Sequence, residues 1–257
     1  MLGLLAPARA AIVAPQVGQT ITQTDLFGYL FVAPQAGDWV RYRVSVNGNP
    51  VATKTIGFGT GTLGATQAAF FEIQTQTSGL VSSPVASQSV AGGTITWKMF
   101  VDAPDFNDSL RLYSFTGGII KIGDALFRLG GDPSKPVPAT YHQTLQSLLL
   151  FGLLPMPDTR AGIVVSSRPE NVSIRGATLN TVHTIVDFPP RDIGGSTGLP
   201  ESRVETWQTT DVPLGLVTVR VTTNGGLFSV DLTAFGHGTY HGIITQDIDA
   251  VPYFPGS

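Results

Sequence analysis

The sequence predicts a mainly β fold, on three observations. Thirty glycines and 18 prolines punctuate the 257 residues at short intervals, which suits many short strands and tight turns rather than long helices. Only 13% of residues are charged, about half the share of an ordinary soluble domain, while 42% are apolar, enough for a sizeable core. Two stretches alternate apolar and polar residues with period two on either side of a turn signal, as half-buried hairpins do.

The first clear element is Trp39–Val46, in which Val40, Tyr42, Val44 and Val46 share one face and Arg41, Arg43 and Ser45 the other. Asn47-Gly48 turns the chain and residues 51–58 return. Pro50 has no N–H to donate, so it belongs at the strand's start or on an edge. Further strands are expected at residues 69–75, 94–101, 110–115 and 125–129, then one long, bent strand at 172–188 and another at 203–208. The last hairpin is the plainest. Residues 217–222 and 228–234 both alternate, and Asn224-Gly225-Gly226 between them tolerates positive φ, so a primed turn is expected at Asn224-Gly225.

One segment breaks the β pattern. Residues 141–154 carry good helix formers and stop at Pro155, which predicts the longest helix, about three turns. Leu145, Leu148, Leu149 and Leu153 form one stripe, and Leu150, Phe151 and Leu154 widen it almost around the helix. Such a helix fits either the core of a curved sheet or a lid whose second face covers a ligand.

The chain opens on a short apolar stretch ending in Ala8-Arg9-Ala10, a small-x-small cleavage pattern. Residues 1–10 therefore read as the remnant of a signal peptide. Residues 11–257 read as a single β-rich domain with a loop and helix insertion around 103–169, located in the periplasm or outside the cell. No uninterrupted apolar run of about 18 residues is present, so no transmembrane helix is expected. The 15 basic residues are scattered against 18 acidic ones, for a net charge of −3, which argues against a nucleic-acid partner. With no cysteine there is no disulfide, thiolate nucleophile, cysteine-bound zinc or iron–sulfur cluster.

Three spellings invite a catalytic or cofactor reading, and each has a plainer one. Gly59-Thr60-Gly61-Thr62-Leu63-Gly64 matches the dinucleotide fingerprint, but strand-like residues follow it and the only acid between it and Asp102 is Glu72; a turn between strands is expected. Gly194-Gly195-Ser196-Thr197-Gly198 spells a nucleophile elbow, yet prolines flank it where a strand and a helix should be. His237 and His241 lie four apart, but Gly236 and Gly238 disfavour a helix and no third ligand is local, so a turn with solvated histidines is expected. His183, inside a strand-like run, reads as a hydrogen-bonded sheet residue. No enzyme activity, metal or cofactor is expected.

The stretch Arg203-Val204-Glu205-Thr206-Trp207-Gln208-Thr209-Thr210-Asp211-Val212-Pro213-Leu214-Gly215-Leu216-Val217 resembles exported bacterial proteins of an uncharacterised branch of the lipoprotein-carrier (LolA/LolB-like) superfamily. Gly37-Asp38-Trp39-Val40-Arg41-Tyr42 and residues 174–182 resemble two other strands of that group. The resemblance implies an incomplete antiparallel β-barrel, a curved sheet wrapped around one or two helices and enclosing an apolar cavity. The expected function is an exported soluble binding protein for a lipid, acyl chain or other hydrophobic small molecule. Trp39, Trp97, Leu149, Phe151 and Trp207 are the candidate lining residues, though each also suits an ordinary core. The alternative is a structural or assembly subunit of the bacterial cell envelope, partnered by an envelope protein or by copies of itself.

Overall fold

A computed structural model of the chain describes residues 14–63, 65–77, 80–82, 89–91, 93–101, 115–129, 160–190 and 200–252. The strands are β1 (Thr20–Thr22), β2 (Trp39–Val46), β3 (Asn49–Leu63), β4 (Thr66–Thr77), β5 (Leu80–Ser82), β6 (Ser89–Ala91), β7 (Thr94–Val101), β8 (Phe115–Ile122), β9 (Ala125–Leu129), β10 (Ala161–Ile174), β11 (Ala177–Phe188), β12 (Ser202–Gln208), β13 (Leu216–Thr223) and β14 (Gly226–Gly236). One helix, α1 (Gln23–Gly28), follows β1, and a 3-10 turn covers Ile248–Ala250.

Twelve strands form one sheet in the order β1-β10-β11-β12-β13-β14-β2-β3-β4-β7-β8-β9, and β5 pairs only with β6. The sheet is two antiparallel meanders joined edge to edge, where Ser229 of β14 lies opposite Ser45 of β2. The terminal strands β1 and β9 do not pair with each other, so the sheet is open and not a closed barrel. It is curled nonetheless. Strands β10 and β14, four places apart in the order, approach within 8 Å Cα to Cα.

A single face of this sheet carries the main core, because alternation puts every second residue on it. Val40, Tyr42 and Val44 of β2 share it with Ile56 and Phe58 of β3, Phe71 and Ile73 of β4, and Ile95, Trp97 and Met99 of β7. Val186, Val204, Val219 and Val230 continue it through the second meander. The chain must cross this inner face to travel from β1, at one edge, to β2 in the middle. Helix α1 makes the crossing: Thr22 and Asp25 close a capping box at its start, and Leu26 is fully buried in the core. Beyond the helix, the Leu30 carbonyl lies against Gly215, and Leu214 donates its N–H to the Val32 carbonyl.

The outer face is polar over the second meander, with cross-strand pairs such as Asp187 with Arg203 and Glu205 with Arg220. Over β4, β7 and β8 it carries a second apolar cluster beside the buried Glu72 and Lys98, and the segment after β14 straps across it. There Ile244, Ile248 and Val251 pack on Phe70, Phe100 and Ile119. Arg128 of β9 donates its N–H to the Pro252 carbonyl, which covers part of that edge.

The hairpin of β2 and β3 turns at Asn47 (φ 49°) and Gly48 (φ 78°), as its sequence predicts, and Pro50 sits at the start of β3. Strands β4, β7, β9 and β12 fall where they are expected. Other expectations need correction. Residues 172–188 are not one bent strand: Arg175 (φ 48°) and Gly176 (φ 85°) turn the chain between β10 and β11. In the last hairpin the left-handed residue is Gly226 (φ 132°), not Asn224 or Gly225, because Thr223 and Gly226 already pair. Gly59 and Gly61 lie inside β3, not in a turn, and a Cβ at Gly59 would collide with the Phe70 ring opposite. The sheet is not wrapped around long helices among the described residues; six-residue α1 and the 3-10 turn are the helical elements there. The helix expected at 141–154 lies outside the described residues, as do residues 1–13 and 110–114. Strands β8, β9 and β10, all within the expected insertion at 103–169 or across its end, belong to the main sheet.

Candidate functional site

Over the second meander the inner face carries the buried hydroxyls of Thr184 and Thr206 among its valines, and over the first meander it is charged at one place among the described residues. Following the register across the strands, one row reads Val40, Ile56, Ile73, Trp97, Ile120 and Phe127, every member apolar. The neighbouring row reads Leu232, Tyr42, Lys54, Thr75, Ile95 and Ile122, with an ammonium at its centre. The row beyond holds Val44, Ala52 and Thr77. Tyr42 and Ile95 are buried, whereas Ala52, Lys54, Thr75 and Thr77 are partly exposed.

No carboxylate among the described residues lies against Lys54, and burial is the sole cause acting on its amine, which it pulls down to a pKa of about 8. The Tyr42 hydroxyl beside it is committed, donating to the Leu216 carbonyl at 2.9 Å, and burial pushes that phenol up. An unpaired ammonium in an apolar setting is costly unless something pairs with it. The sequence carries the signal for this residue. In Ala52, Lys54, Ile56 and Phe58, a charged side chain occupies the apolar phase of an alternating strand.

The candidate lining residues do not share one face. Trp97 is buried on the inner face, in the row next to Lys54. Trp39 lies on the outer face over Gly236, donating its Nε1 proton to Thr239 at 2.9 Å, with Arg41 stacked 5.6 Å from its ring. Trp207 also faces outward, opposite His183. Leu149 and Phe151 lie outside the described residues.

Trp207 belongs to a polar cluster on the outer face of β10–β13. Its Nε1 donates to Glu170 at 2.9 Å, and Arg220 covers the ring at 5.0 Å. His183 lies with Nδ1 3.0 Å from Glu170 and Nε2 3.2 Å from Glu205, which accords with its reading as a hydrogen-bonded sheet residue. The Trp207 hydrogen bond, opposed by burial and aided by His183 and Arg168, holds the Glu170 carboxyl below the usual range. With both histidine nitrogens occupied by carboxylates, the cluster offers no free ring nitrogen to a metal or substrate.

A buried carboxylate, Glu72, clasps the C-terminal strap. Glu72 accepts from the Tyr240 hydroxyl, from Ile243 N at 2.6 Å and from Ile244 N at 2.8 Å. Lys98, opposite Glu72, donates to the Ile244 carbonyl at 2.8 Å and lies 4.3 Å over the Phe70 ring. Nearby, His237 bonds the buried Asp38 at 3.0 Å, while His241 is exposed, so the two histidines do not converge. No group of metal-ligating side chains occurs among the described residues, and residues 194–198 lie outside them.

No family model and no curated protein matches the chain. Among solved structures it is similar to the hypothetical protein CT021 of Chlamydia trachomatis, at 12% identity over 93% of this chain and 99% of that one, with a TM-score of 0.40. A Bacteroides fragilis protein described as exported and of YmcC-like fold matches at 9% identity over 80% of this chain and 99% of that one, with a TM-score of 0.36. A Parabacteroides distasonis protein described as a lipoprotein matches at 10% identity with the same coverages and TM-score. At these scores the likeness carries no argument about function, and the kinship with the lipoprotein carriers stays a resemblance.

Proposed function

We propose that this chain is an exported binding protein that holds a lipid or other hydrophobic molecule against the inner face of its sheet, beside Lys54 and Trp97. The observation that carries the reading is the interruption of that face at Lys54. A core serving stability alone gains from filling such a position with an aliphatic side chain, whereas a binding face gains from a charged group flanked by the small, partly exposed Ala52, Thr75 and Thr77. The energetics suit a carrier: covering about 300 Å² of apolar ligand surface yields roughly 7 kcal/mol before the costs of association. Trp39 and Trp207, on the opposite face, are left out of the proposed lining.

The rival reading, an envelope subunit that assembles through its strand edges, draws on one observation. Val17, Ile163 and Val165 are exposed together beside the β1–β10 edge. That edge is poorly suited to extension, because β1 has three residues and Pro169 interrupts the donors of β10. Native mass spectrometry of protein purified from its own host separates the two. A carrier retains adducts of lipid mass that organic extraction removes; a subunit gives high-mass homo-assemblies with no such adducts, and that outcome would overturn the proposal.

A further inference from the structure

We infer that the ligand is an amphiphile with an anionic head, a carboxylate or a phosphate, and that the Lys54 ammonium on the inner face of β3 is the group that recognises it. The inference rests on the binding reading above and specifies its chemistry. An ammonium that has a wholly apolar row on one side and Val44, Ala52 and Thr77 on the other, with no carboxylate partner among the described residues, has its attraction for an anion unspent. Beside it Thr75 supplies a second hydroxyl donor on the same row, while Tyr42 is bound to Leu216 and does not compete. On the same face Ile122, at the end of the Lys54 row, and Phe127, at the end of the next, are partly exposed, so a chain attached to the anion has apolar side chains to lie against. A neutral ligand would leave the ammonium as costly as before. A cationic head would be repelled.

The groups facing Lys54 from its neighbouring strands are few. Strand β2 presents Tyr42 and β4 presents Thr75, with no ionisable side chain on β4 in these rows. Among the described residues of these rows, the charge is therefore that of Lys54 itself.

The test measures binding of dodecanoate, dodecyl phosphate and dodecan-1-ol to delipidated protein by calorimetry, for the wild type and for K54M, with K54R as the charge-preserving control. The wild type is expected to bind both anions about ten- to a hundred-fold more tightly than the alcohol, the range of a charge-assisted hydrogen bond. K54M should bind all three alike at the alcohol's affinity, and K54R should keep the preference. The wild-type preference for dodecanoate should also fade between about pH 7 and about pH 9.5, where an amine lowered to about 8 loses its proton. Preference for one anion over the other distinguishes carboxylate from phosphate heads. Equal binding of alcohol and anions by the wild type, or an unchanged preference in a folded K54M, would sink the inference and leave the binding reading intact. Failure of all three ligands to bind the wild type would overturn both.

Discussion

His183 lies flat on Trp207, with ring centroids 3.9 Å apart and planes 13° from parallel, and both rings are tied to one carboxylate, that of Glu170. The pair sits at directly opposed positions of β11 and β12, so three strands are pinned by a single group on β10.

Glu170→Gln should therefore destabilise the fold by about 1 kcal/mol, kept modest because Glu170 is 36% exposed and screened by water. The effect carries a pH signature. A carboxyl whose folded pKa lies below its ordinary value of 4.5 stabilises the fold above that value, and this contribution disappears as pH falls through the folded pKa. Urea melts of the two proteins should differ at neutral pH and converge as the solution is acidified below about 4.5; parallel curves would show that Glu170 contributes no charge-dependent stability.

Lys54→Met should stabilise the ligand-free protein, by about 1–3 kcal/mol at neutral pH. The sign follows from proton binding. Folded Lys54 titrates near 8 against 10.5 in the unfolded chain, so between those values the unfolded state holds more protons and raising the pH favours folding. Wild-type stability should gain an upward component across that window that K54M lacks. Melts at several pH values decide it, and a K54M variant less stable than the wild type would contradict it.

Two glycines with the same backbone sign should respond very differently to alanine. At Gly215 (φ 75°) a Cβ would lie 1.7 Å from the Leu30 carbonyl oxygen, so Gly215→Ala displaces the segment that crosses the inner face and should cost about 3 kcal/mol or more. At Gly48 (φ 78°) nothing lies within 4 Å, and Gly48→Ala should cost about 1 kcal/mol from the backbone alone. Similar melting temperatures for the two variants would refute the close approach of Leu30.

Gly226→Ala should cost about 2–3 kcal/mol, because φ is 132° and a Cβ there would meet Asn47 Oδ1 at 2.1 Å. That oxygen also accepts the Leu227 N–H at 2.8 Å, so the substitution disturbs the junction of the two hairpins. Gly225→Ala, with ordinary φ and its nearest atom at 3.6 Å, should change stability by well under 1 kcal/mol. Reversal of this order in denaturant melts would show the left-handed position to be misplaced.

Glu72→Ala should release the strap that follows β14. Three donors lose their acceptor and Lys98 loses its opposite charge, at a cost of about 2–4 kcal/mol. Proteolysis beyond Gly236 should accelerate and a hydrophobic dye should bind the uncovered Phe70 and Phe100. Unchanged protection of this segment would show that Ile244, Ile248 and Val251 hold it without the carboxylate.

The sequence by itself determined what neighbouring residues decide. Alternation set the faces of Trp39–Val46, including the separation of Trp39 from Tyr42, and Asn47-Gly48 set a turn whose φ values few other pairs tolerate. The same local logic found β7, β9, β12 and the final hairpin. It missed β10, a strand carrying Pro169 and the charged Arg168 and Glu170 within a polar edge, because half-solvated edges have no apolar phase to detect. It also merged β10's end with β11, since the apolar phase is read along the chain and does not register the turn at Arg175-Gly176.

Tertiary structure alone decided the rest. The union of β14 with β2, the pairing of β1 with β10 and the strap across β4, β7 and β8 join residues more than a hundred positions apart, as between Lys98 and Ile244. Such contacts form because burying apolar faces outweighs the entropy of closing long loops, a balance set by the whole sheet and not by any short stretch. The same holds for Lys54. Its place in the apolar phase is written in the strand, but its lack of a partner depends on what β2 and β4 bring beside it, and that only the assembled sheet fixes.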